Sequence, residues 1–574
     1  MPSAAEIRAQ LTGPGGMFEV VTEPVLGREL QVYKQRMRSL REIAVAAHGR
    51  GDQTFLIHGE ATWSFRRFVE TANAAARALA DQAGMARGDR VAVLSQNNPE
   101  WCLTFWATVA SGAVLVGLNG WWKADEILYG LNDSGATVLV ADRRRFERIA
   151  DRLDEAATVE HVYLIDCGPE DVPAAGKAEL HRFDELTGEP TATFPDTPID
   201  EDDAAVIFYT SGTTGRSKGA ISTHRSMIAN LQNTLYSVVA GAMATGTSML
   251  GGTGGAPTVS LLTSPLFHVS GCHSGLVVGM LAGVTIVIPV GRFDPESVLS
   301  LIEQHGVTTW ATVPTMVWRV CEHPARLDHD TSTVTTVAFG GSPSADELQR
   351  KVRDTFPNVR STSNAYGLTE TSSVATVNSG DDVTRKPWSV GPPVPTVELR
   401  IEAADGTEAP TGEPGEVCVR GPVLMKGYWG KPEATAEAID ADGWLHSGDI
   451  GTLDDEGFLT ITDRKKDMII RGGENVYCVE IENRLVDHPD IADAAVVGVP
   501  HPELGEEVKA IVQVEDGAGL TADDVRAWVR AELADFKVPA HVELRTEPLP
   551  RNASGKLLKN VLRGEAEANF IDTL

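Results

Sequence analysis

The chain has 574 residues and a mass of 61.4 kDa, which is long enough for more than one domain with its own hydrophobic core. It carries 50 Lys and Arg residues against 80 Asp and Glu residues, so its formal net charge is −30. This balance argues against nonspecific nucleic-acid binding and against docking on an anionic membrane.

Three further features of the sequence bear on its location. The six cysteines are scattered, without CxxC pairs or zinc-like spacing, which is typical of a reducing cytoplasm. Residues 1–16 lack the basic end and apolar run of a signal peptide, and the apolar stretch 259–290 is interrupted by proline, histidine and glycine. We therefore expect a cytoplasmic protein without stable membrane insertion. Cys272 and His273, which are adjacent, are predicted to pack in the core.

The first clear periodic pattern begins at Ser64, which is predicted to cap a helix that ends near Gly84. A helix opened by Pro99 and a basic triplet at 143–145, interpreted as the solvated start of a helix, come later. Short apolar strands are predicted at 91–94, 114–118 and 137–141, and the same alternation returns at 281–290, 295–305, 308–313 and 335–339. Alternating strands and helices predict a parallel sheet covered by helices.

The most distinctive segment is the run Tyr-Thr-Ser-Gly-Thr-Thr-Gly-Arg-Ser-Lys-Gly at 209–219, directly after the apolar stretch 204–208. Its glycines let backbone N–H groups approach an anion, its hydroxyls donate hydrogen bonds, and Lys218 supplies positive charge. The spacing differs from the P-loop of NTPases, which would place Gly-Lys-Ser/Thr at 217–219. The run therefore predicts a nucleotide-phosphate loop of another kind, with a flexible linker as the alternative interpretation.

The sequence pattern changes after about residue 390. Short strands at 397–401, 415–420 and 457–462, separated by Gly, Asp and Pro turns, predict a small β-rich subdomain. After the basic stretch 464–466, strands are predicted at 494–499 and 508–514, and a helix at 521–533 with Thr521 and Asp524 as a capping pair. This last part is large enough to form a separate domain.

Four further motifs follow the loop. Asn-Ala-Tyr-Gly-Leu-Thr-Glu at 364–370 offers an aromatic face for adenine, a hydroxyl for phosphate and, in Glu370, a carboxylate for magnesium. Gly-Trp-Leu-His-Ser-Gly-Asp at 443–449 ends in Asp449, which can accept hydrogen bonds from ribose hydroxyls. Asp-Arg-Lys-Lys-Asp at 463–467 and Pro-Arg-Asn-Ala-Ser-Gly-Lys at 550–556 supply Arg464 and Lys556. Singly, Asp449 and Lys556 would be interpreted as a turn residue and a solvated lysine.

These five motifs, in this order, resemble those of the adenylate-forming superfamily of acyl-CoA synthetases, amino-acid adenylation domains and luciferases. The resemblance extends from about residue 50 to 565, and Ser217 stands where the family usually has proline. It implies an α/β fold in which a large N-terminal domain, 1–465, holds parallel-sheet subdomains and a small β-rich subdomain. A mobile, smaller α+β C-terminal domain, 466–574, would swivel about Lys466. It also implies ATP, Mg²⁺ and CoA as ligands and a small carboxylic acid as substrate, with no nucleic-acid partner; a homodimer stays open.

The resemblance also implies roles for individual residues. The implied nucleotide site comprises Thr210, Ser211, Gly212, Thr213, Thr214, Gly215, Lys218, Gly341, Ser342, Ala365, Tyr366, Gly367, Thr369, Asp449, Arg464 and Lys556. The implied CoA face comprises Arg471, Gly472 and Gly473. The implied acid site comprises His268, Val269, Ser270, Val313, Met316, Gly340, Gly341 and Ala365. The implied catalytic residues are Thr213, His268, Glu370 and Lys556, with Glu370 also as the magnesium ligand.

The implied acid site limits the substrate. His268 stands where amino-acid adenylation domains place an aspartate, so an α-amino acid is not expected. The site is small or apolar without a cationic residue, which favours a fatty or similar uncharged acid of medium to long chain; an aryl acid or steroid side chain stays open. His268 is interpreted as a gate of this site or, alternatively, as a core histidine, and 251–256 as a loop.

The expected reaction has two halves. A carboxylate displaces pyrophosphate from ATP to form an acyl-adenylate, which CoA then converts into a thioester and AMP. Three alternatives stay open: transfer to an amine or carrier protein, a luciferase-like oxygenase, and an adenylate-binding regulator without turnover.

Overall fold

The computed structural model describes residues 3–210, 216–245, 257–340, 346–472, 474–515, 517–551 and 556–564. The strands in these ranges are β1 (Val20–Val25), β2 (Arg28–Tyr33), β3 (Thr54–His58), β4 (Ala61–Ser64), β5 (Arg90–Leu94), β6 (Val114–Gly117), β7 (Val138–Asp142), β8 (His161–Ile165), β9 (Glu179–Arg182), β10 (Ala204–Thr210), β11 (Lys218–Thr223), β12 (Val259–Leu261), β13 (Thr285–Ile288), β14 (Thr309–Thr312), β15 (Thr336–Gly340), β16 (Ser361–Tyr366), β17 (Thr376–Ser379), β18 (Glu398–Glu402), β19 (Gly415–Arg420), β20 (Leu445–Leu453), β21 (Leu459–Arg464), β22 (Ile469–Arg471), β23 (Glu474–Val476), β24 (Ile491–His501), β25 (Gly505–Val514) and β26 (His541–Arg545).

The α-helices in the same ranges are α1 (Ala4–Thr12), α2 (Leu40–His48), α3 (Phe65–Ala83), α4 (Pro99–Ala110), α5 (Ala124–Ser134), α6 (Arg143–Phe146), α7 (Asp184–Thr187), α8 (His224–Thr245), α9 (Val278–Ala282), α10 (Pro295–His305), α11 (Pro314–Glu322), α12 (Asp346–Thr355), α13 (Asp381–Arg385), α14 (Pro432–Ala438), α15 (Cys478–Val486), α16 (Ala522–Arg530) and α17 (Lys559–Leu562). A π-helix, Ser270–Val277, leads into α9.

A seven-stranded sheet has the order β11-β10-β6-β5-β7-β8-β9. The strands from β10 to β9 pair in parallel, and β11 folds back on β10 as an antiparallel partner. Successive residues of its central strands point to opposite faces of the sheet and belong to two different hydrophobic cores. Val91 and Val93 pack with α3 and α4, whereas Ala92 and Leu94 pack with α5. Helices on both faces thus confirm the predicted α/β arrangement.

An eight-stranded sheet has the order β17-β16-β15-β14-β12-β13-β3-β4, parallel except at its two edges. One face packs on α10, α11 and α12. Phe55 and Ile286 of this sheet share the largest core with Val91 and Leu115 of the seven-stranded sheet. The two parallel sheets are therefore held by one continuous core, which positions the ends of their strands relative to each other.

Two smaller sheets follow in the chain. The antiparallel sheet β18-β19-β20-β21 has its own core, which confirms the predicted β-rich subdomain. The last sheet, β23-β22-β25-β24 with β26 beside β25, packs on α15 and α16. The change from one sheet to the other falls between Arg464 and Ile469, where the hinge was predicted.

Most helix ends agree with the sequence signals. The Ser64 hydroxyl accepts the Arg67 N–H at 3.2 Å, and Thr521 and Asp524 form a capping box at α16. The predicted strand 281–290 is wrong at its start, because α9 continues to Ala282 and Gly283, at φ +76°, ends it. Cys272 and His273 are fully buried, as predicted.

Two features differ from the sequence interpretation. Helix α8 was not predicted, because its buried face mixes Met227 and Ile228 with the polar residues Ser226 and Asn230. α6 does begin at Arg143, but Arg145 is not solvated: its side chain is 12% exposed and pairs with Asp142 at 2.6 Å. Among the described residues, no helix combines the length and apolar character needed to cross a bilayer.

Candidate active site

The phosphate-loop motif joins two paired strands. β10 ends at Thr210 and β11 begins at Lys218, and these two residues are register partners in the antiparallel pair. The predicted loop residues between them, Ser211, Gly212, Thr213, Thr214 and Gly215, lie outside the described residues. The Lys218 ammonium lies 5.1 Å from the ring centre of Tyr428, so the motif borders the segment that follows the β-rich sheet strand β19.

Asp449 is the centre of a buried polar cluster. Its side chain is 3% exposed and pairs with the Arg464 Nε at 2.6 Å, because β20 and β21 place these residues opposite each other. The Tyr366 hydroxyl donates to the second carboxylate oxygen at 2.7 Å. Burial, and then the Asp449 charge, raise the pKa of Tyr366 well above its usual value, so the phenol stays protonated. Three predicted nucleotide residues from different motifs thus meet around one carboxylate.

Glu370 lies in a tight 3₁₀ turn at the end of its motif. The Tyr428 hydroxyl donates to its Oε1 at 2.8 Å, and its backbone carbonyl accepts the Met425 N–H at 2.8 Å. Burial, and then Glu370, raise the pKa of Tyr428. The turn needs glycine at Gly367, since a Cβ there would lie 1.5 Å from the Ser373 carbonyl oxygen. The carboxylate is therefore fixed by both backbone and side-chain contacts, with Thr369 in the same turn.

Lys556 is brought to this cluster by the end of the chain. Burial is the main cause that lowers its pKa to about 8; Arg464 and Lys466 act in the same direction, and Asp449 and Glu370 oppose them. Lys556 therefore interacts electrostatically with all four groups. The segment around Lys556 is held against the C-terminal sheet by Leu549 and Leu557, which pack on Ala495, Val497 and Ile511.

His268 also lies near Lys556. Burial, then Lys556 and His273, lower its pKa to about 4, so the ring is neutral at pH 7. Its Nδ1 accepts from Ser270, whose hydroxyl lies at 3.1 Å and whose N–H lies at 3.4 Å, which assigns the ring proton to Nε2. His268 stands just before the π-helix, a distortion that is frequent at functional sites.

The other predicted acid-site residues divide into two groups. Val313, Gly340 and Ala365 lie at the carboxyl ends of the adjacent parallel strands β14, β15 and β16, and Gly340 and Ala365 are register partners. The side chains of Val269 and Met316 are 4% and 6% exposed and belong to hydrophobic cores. Gly341 and Ser342 lie outside the described residues. These strand ends form the carboxyl edge of the sheet, which is where ligands bind in open α/β sheets.

Asn364 was not among the predicted site residues, although it begins the 364–370 motif. It is 4% exposed, and its Oδ1 has no hydrogen-bond partner among the described residues. It lines a cavity of about 590 Å³ together with Ile461 of β21 and Tyr477 and Glu480 next to and in α15. A buried amide oxygen without a partner marks a position for a donor that the protein does not supply.

The predicted hinge, Lys466, is followed in the chain by the predicted CoA face. The Lys465 N–H donates to the Gly448 carbonyl at 2.9 Å, which ties the hinge to β20. Arg471 pairs with the buried Glu507 at 2.6 Å within the C-terminal sheet, and Gly472 has φ +61°. Gly473, like the stretch 251–256 interpreted as a loop, lies outside the described residues. Arg471 thus has its ion-pair partner within the C-terminal sheet, whereas Lys556 interacts electrostatically with Asp449 and Arg464.

Comparison with known proteins agrees with this geometry. The family model described as AMP-binding enzyme matches residues 43–429, and that of the AMP-binding enzyme C-terminal domain matches 480–556. A feruloyl-CoA synthase of Amycolatopsis sp is 37% identical, with 84% of this chain and 89% of the relative covered. A 3-[(3aS,4S,7aS)-7a-methyl-1,5-dioxo-octahydro-1H-inden-4-yl]propanoyl:CoA ligase of Rhodococcus jostii (strain RHA1) is 35% identical, with 91% and 97% covered.

A solved structure extends the likeness to three dimensions. ATP-bound MatB from Rhodopseudomonas palustris superposes with a TM-score of 0.78 at 29% sequence identity, with 92% of this chain and 99% of that chain covered. The sequence and the fold both match along nearly the whole length. The chain therefore belongs to the AMP-binding enzyme family and is an acid–thiol ligase.

Proposed function

We propose that the protein joins an apolar carboxylic acid to CoA through an acyl-adenylate. In the first half, a carboxylate oxygen bonds to the α-phosphorus of ATP and the bond to pyrophosphate breaks. In the second half, the CoA sulfur bonds to the acyl carbon, the bond to AMP breaks, and the thiol proton goes to solvent. The observation that carries this proposal is the electrostatic interaction of Lys556 with Asp449, Glu370 and His268, because three of these residues come from separate motifs and His268 belongs to the implied acid site.

The nucleotide would be held by groups with matching chemistry. Asp449, fixed by Arg464 and Tyr366, is a buried acceptor for ribose hydroxyls. The Asn364 Oδ1 supplies the acceptor that an adenine amino group needs. Thr210, Lys218 and the loop between them would contact the phosphates. ATP recognition thus uses both of the parallel sheets and the β-rich sheet.

Magnesium fits the chemistry of Glu370. Mg²⁺ in nucleotide sites is bound by one or two carboxylates together with substrate phosphates, and Glu370 is a carboxylate held in place by Tyr428. The metal would neutralise charge on the phosphate oxygens. Glu370 would orient it, and Tyr428 would orient Glu370.

Lys556 would stabilise the negative charge that grows on the transferring phosphoryl group. With its pKa at about 8, it is mostly protonated at pH 7. No general base is needed in this half, because the attacking carboxylate is already ionised. His268 is neutral and polar, so it can position the acid by hydrogen bonding without adding charge.

The acid is proposed to be apolar and of medium size or longer. Val313, Gly340 and Ala365 at the strand ends carry no charge, and His268 of the implied acid site is neutral. Aromatic and fused-ring acids are named for two relatives, so ring acids stand beside fatty acids as candidates. Discrimination among them rests on pocket shape, where each methylene contributes about 1–3 kcal/mol.

The second half would use the other face of the C-terminal domain. We place the domain boundary at Lys466, so that 1–465 and 466–574 move relative to each other. A swivel there would withdraw Lys556 and bring up Arg471, Gly472 and Gly473, whose glycines leave room for a pantetheine arm. The hinge itself lies between two sheets that share no strand.

The experiment is mass spectrometry of products from ATP, Mg²⁺ and a panel of fatty, aryl and fused-ring acids, each with and without CoA. We expect acyl-CoA only when CoA is present, and pyrophosphate with the acids that the pocket accepts. Acyl-adenylate that accumulates while CoA stays unused would contradict the CoA acceptor and favour an amine or carrier protein. Lack of pyrophosphate with every acid would contradict adenylation itself.

A further inference from the structure

Two histidines and a glutamate meet at the edge of the seven-stranded sheet. His161 lies on β8, and Glu179 and His181 lie on the edge strand β9. The parallel register pairs His161 with Glu179 and Tyr163 with His181, so the side chains share one face of the sheet. The proposed reaction gives these residues no role.

The distances among three donor atoms are those of a metal site. His161 Nδ1 and His181 Nε2 are 3.3 Å apart, and Glu179 Oε2 lies 3.8 and 3.9 Å from these two nitrogens. A tetrahedral Zn²⁺ with bonds of about 2.0–2.1 Å holds its ligand atoms about 3.3 Å apart. The histidine pair already has this spacing, and Glu179, whose side chain is 70% exposed, can move the remaining half ångström.

The surroundings hold the His181 ring in the orientation that a metal ligand needs. Glu185 Oε2 of α7 lies 3.4 Å from His181 Nδ1, so a carboxylate faces the ring nitrogen that points away from the triad. This carboxylate–histidine pair is the usual outer contact of a metal-bound imidazole. Tyr163 stacks on the same ring with a centroid distance of 4.8 Å, and its hydroxyl donates to Gln82.

We propose that His161, His181 and Glu179 bind a divalent transition-metal ion, of which Zn²⁺ is the best match, with water completing the coordination. Imidazole and carboxylate ligands suit Zn²⁺ and exclude a Mg²⁺-type all-oxygen site. The His side chains are 15% and 20% exposed, so an ion can enter from solvent. Without a metal, the two rings share an N–H···N hydrogen bond.

The site is separate from the nucleotide site. β9 and β10 lie five strand spacings apart in the sheet order, which is about 24 Å at about 4.8 Å per strand. The metal would therefore join β9 and α7 to β8 at the sheet edge, and it would not take part in adenylation. Its binding can be tested whatever acid the enzyme uses.

A second cluster, Glu402, Cys418 and His446, also brings donor atoms together. There the Arg400 guanidinium already pairs with Glu402 at 2.7 Å, and it lies 3.6 Å from Asp440. A resident cation opposes the entry of a second one. The test therefore treats this cluster as the alternative metal site.

The test is calorimetric titration of the full-length, tag-free, EDTA-treated protein with Zn²⁺, and visible spectroscopy with Co²⁺. We expect one equivalent of Zn²⁺ and the d–d bands of four-coordinate Co²⁺. The His161→Gln/His181→Gln double variant should lose both, and Glu185→Gln should bind about 10–100-fold more weakly. His329→Gln, a matched control whose histidine pairs with the Glu303 carboxylate at 2.8 Å, should bind normally.

Three outcomes would overturn the proposal. They are no saturable binding by the wild-type protein, unchanged binding by the double variant, and loss of binding in Cys418→Ser instead. Pyrophosphate release by each variant checks its fold. Glu179→Gln, at an exposed position that does not disturb packing, should weaken Zn²⁺ binding. Binding that survives in the double variant but is lost in Cys418→Ser would assign the metal to the second cluster.

Discussion

The charge on Lys556 sets the pH range of the proposed adenylation half-reaction. Burial, together with Arg464 and Lys466, lowers its pKa to about 8, whereas an unperturbed lysine has a pKa of about 10.4. With a pKa of about 8, the protonated fraction falls from about 0.9 at pH 7 to about 0.1 at pH 9. A neutral amine cannot offset charge on the transferring phosphoryl group, so we expect the adenylation rate to fall about tenfold over this range.

The two half-reactions should respond differently to pH. Adenylation is measured as single-turnover pyrophosphate release from ATP, Mg²⁺ and acid without CoA. Thioester formation is measured from supplied acyl-adenylate and CoA, and it should hold or rise from pH 7 to 9 because the thiol ionises with a pKa of about 8.5. His268, with its pKa at about 4, keeps the same charge throughout.

Two variants separate Lys556 from other titrating groups. Lys556→Arg keeps its charge at all these pH values, so its adenylation rate should be nearly flat from pH 7 to 9, whatever its absolute rate. Lys556→Ala should lose about 10²–10³-fold in adenylation and leave thioester formation intact. A tenfold fall that persists in the arginine variant, or equal loss of both half-reactions in the alanine variant, would refute the assigned role.

Three further predictions concern ATP and magnesium. Asp449→Asn should raise the KM for ATP about 10–100-fold, because Arg464 loses its charged partner. Initial rates at varied ATP concentrations measure this KM, and an unchanged value would contradict the prediction. Asn364→Ala should reduce the preference for ATP over GTP about tenfold, measured with both nucleotides under the same conditions. An unaltered preference would contradict the proposed contact between Asn364 and adenine. Glu370→Gln should raise the half-maximal Mg²⁺ concentration about tenfold, whereas Tyr428→Phe, which keeps the carboxylate, should change it less. Equal shifts in a Mg²⁺ titration of the two variants would contradict a direct metal contact.

Part of the local structure at the candidate site could be predicted from the sequence. The apolar pattern predicted a strand at 457–462, close to the observed β21, but it did not predict β20, and Asp449 alone was interpreted as a turn residue. The strand that leads into the glycine-rich loop was also expected, whereas the returning strand β11, which begins at Lys218, was not. These features depend on residues close in the chain, where local preferences act.

Other features depend on long-range packing and could not be read from the residues alone. The approach of Lys556 to His268 is set by how the C-terminal sheet lies on the rest of the protein, and only the family resemblance indicated it. The meeting of His161 and His181 depends on the pairing of β8 with β9, which their connecting segment does not specify. Helix α8 was missed for the same reason. Its buried face carries polar residues whose hydrogen-bond partners lie on distant elements, so its sequence lacks a clear apolar pattern.

Two features of the junction between the C-terminal sheet and the β-rich sheet support the proposed swivel of the C-terminal domain. Lys465 pairs there with Glu416 at 2.9 Å, but the lysine side chain is 62% exposed, and such pairs contribute only about 0–1 kcal/mol. The cavity of about 590 Å³ lies between β21 and α15, so apolar contact between them is incomplete. A weak exposed ion pair and incomplete apolar contact are compatible with the proposed movement of the C-terminal domain. Because Asn364, the proposed adenine contact, lines this same cavity, ATP bound at the Asp449 cluster would favour the arrangement that holds Lys556 there, which would link ATP binding to the position of Lys556.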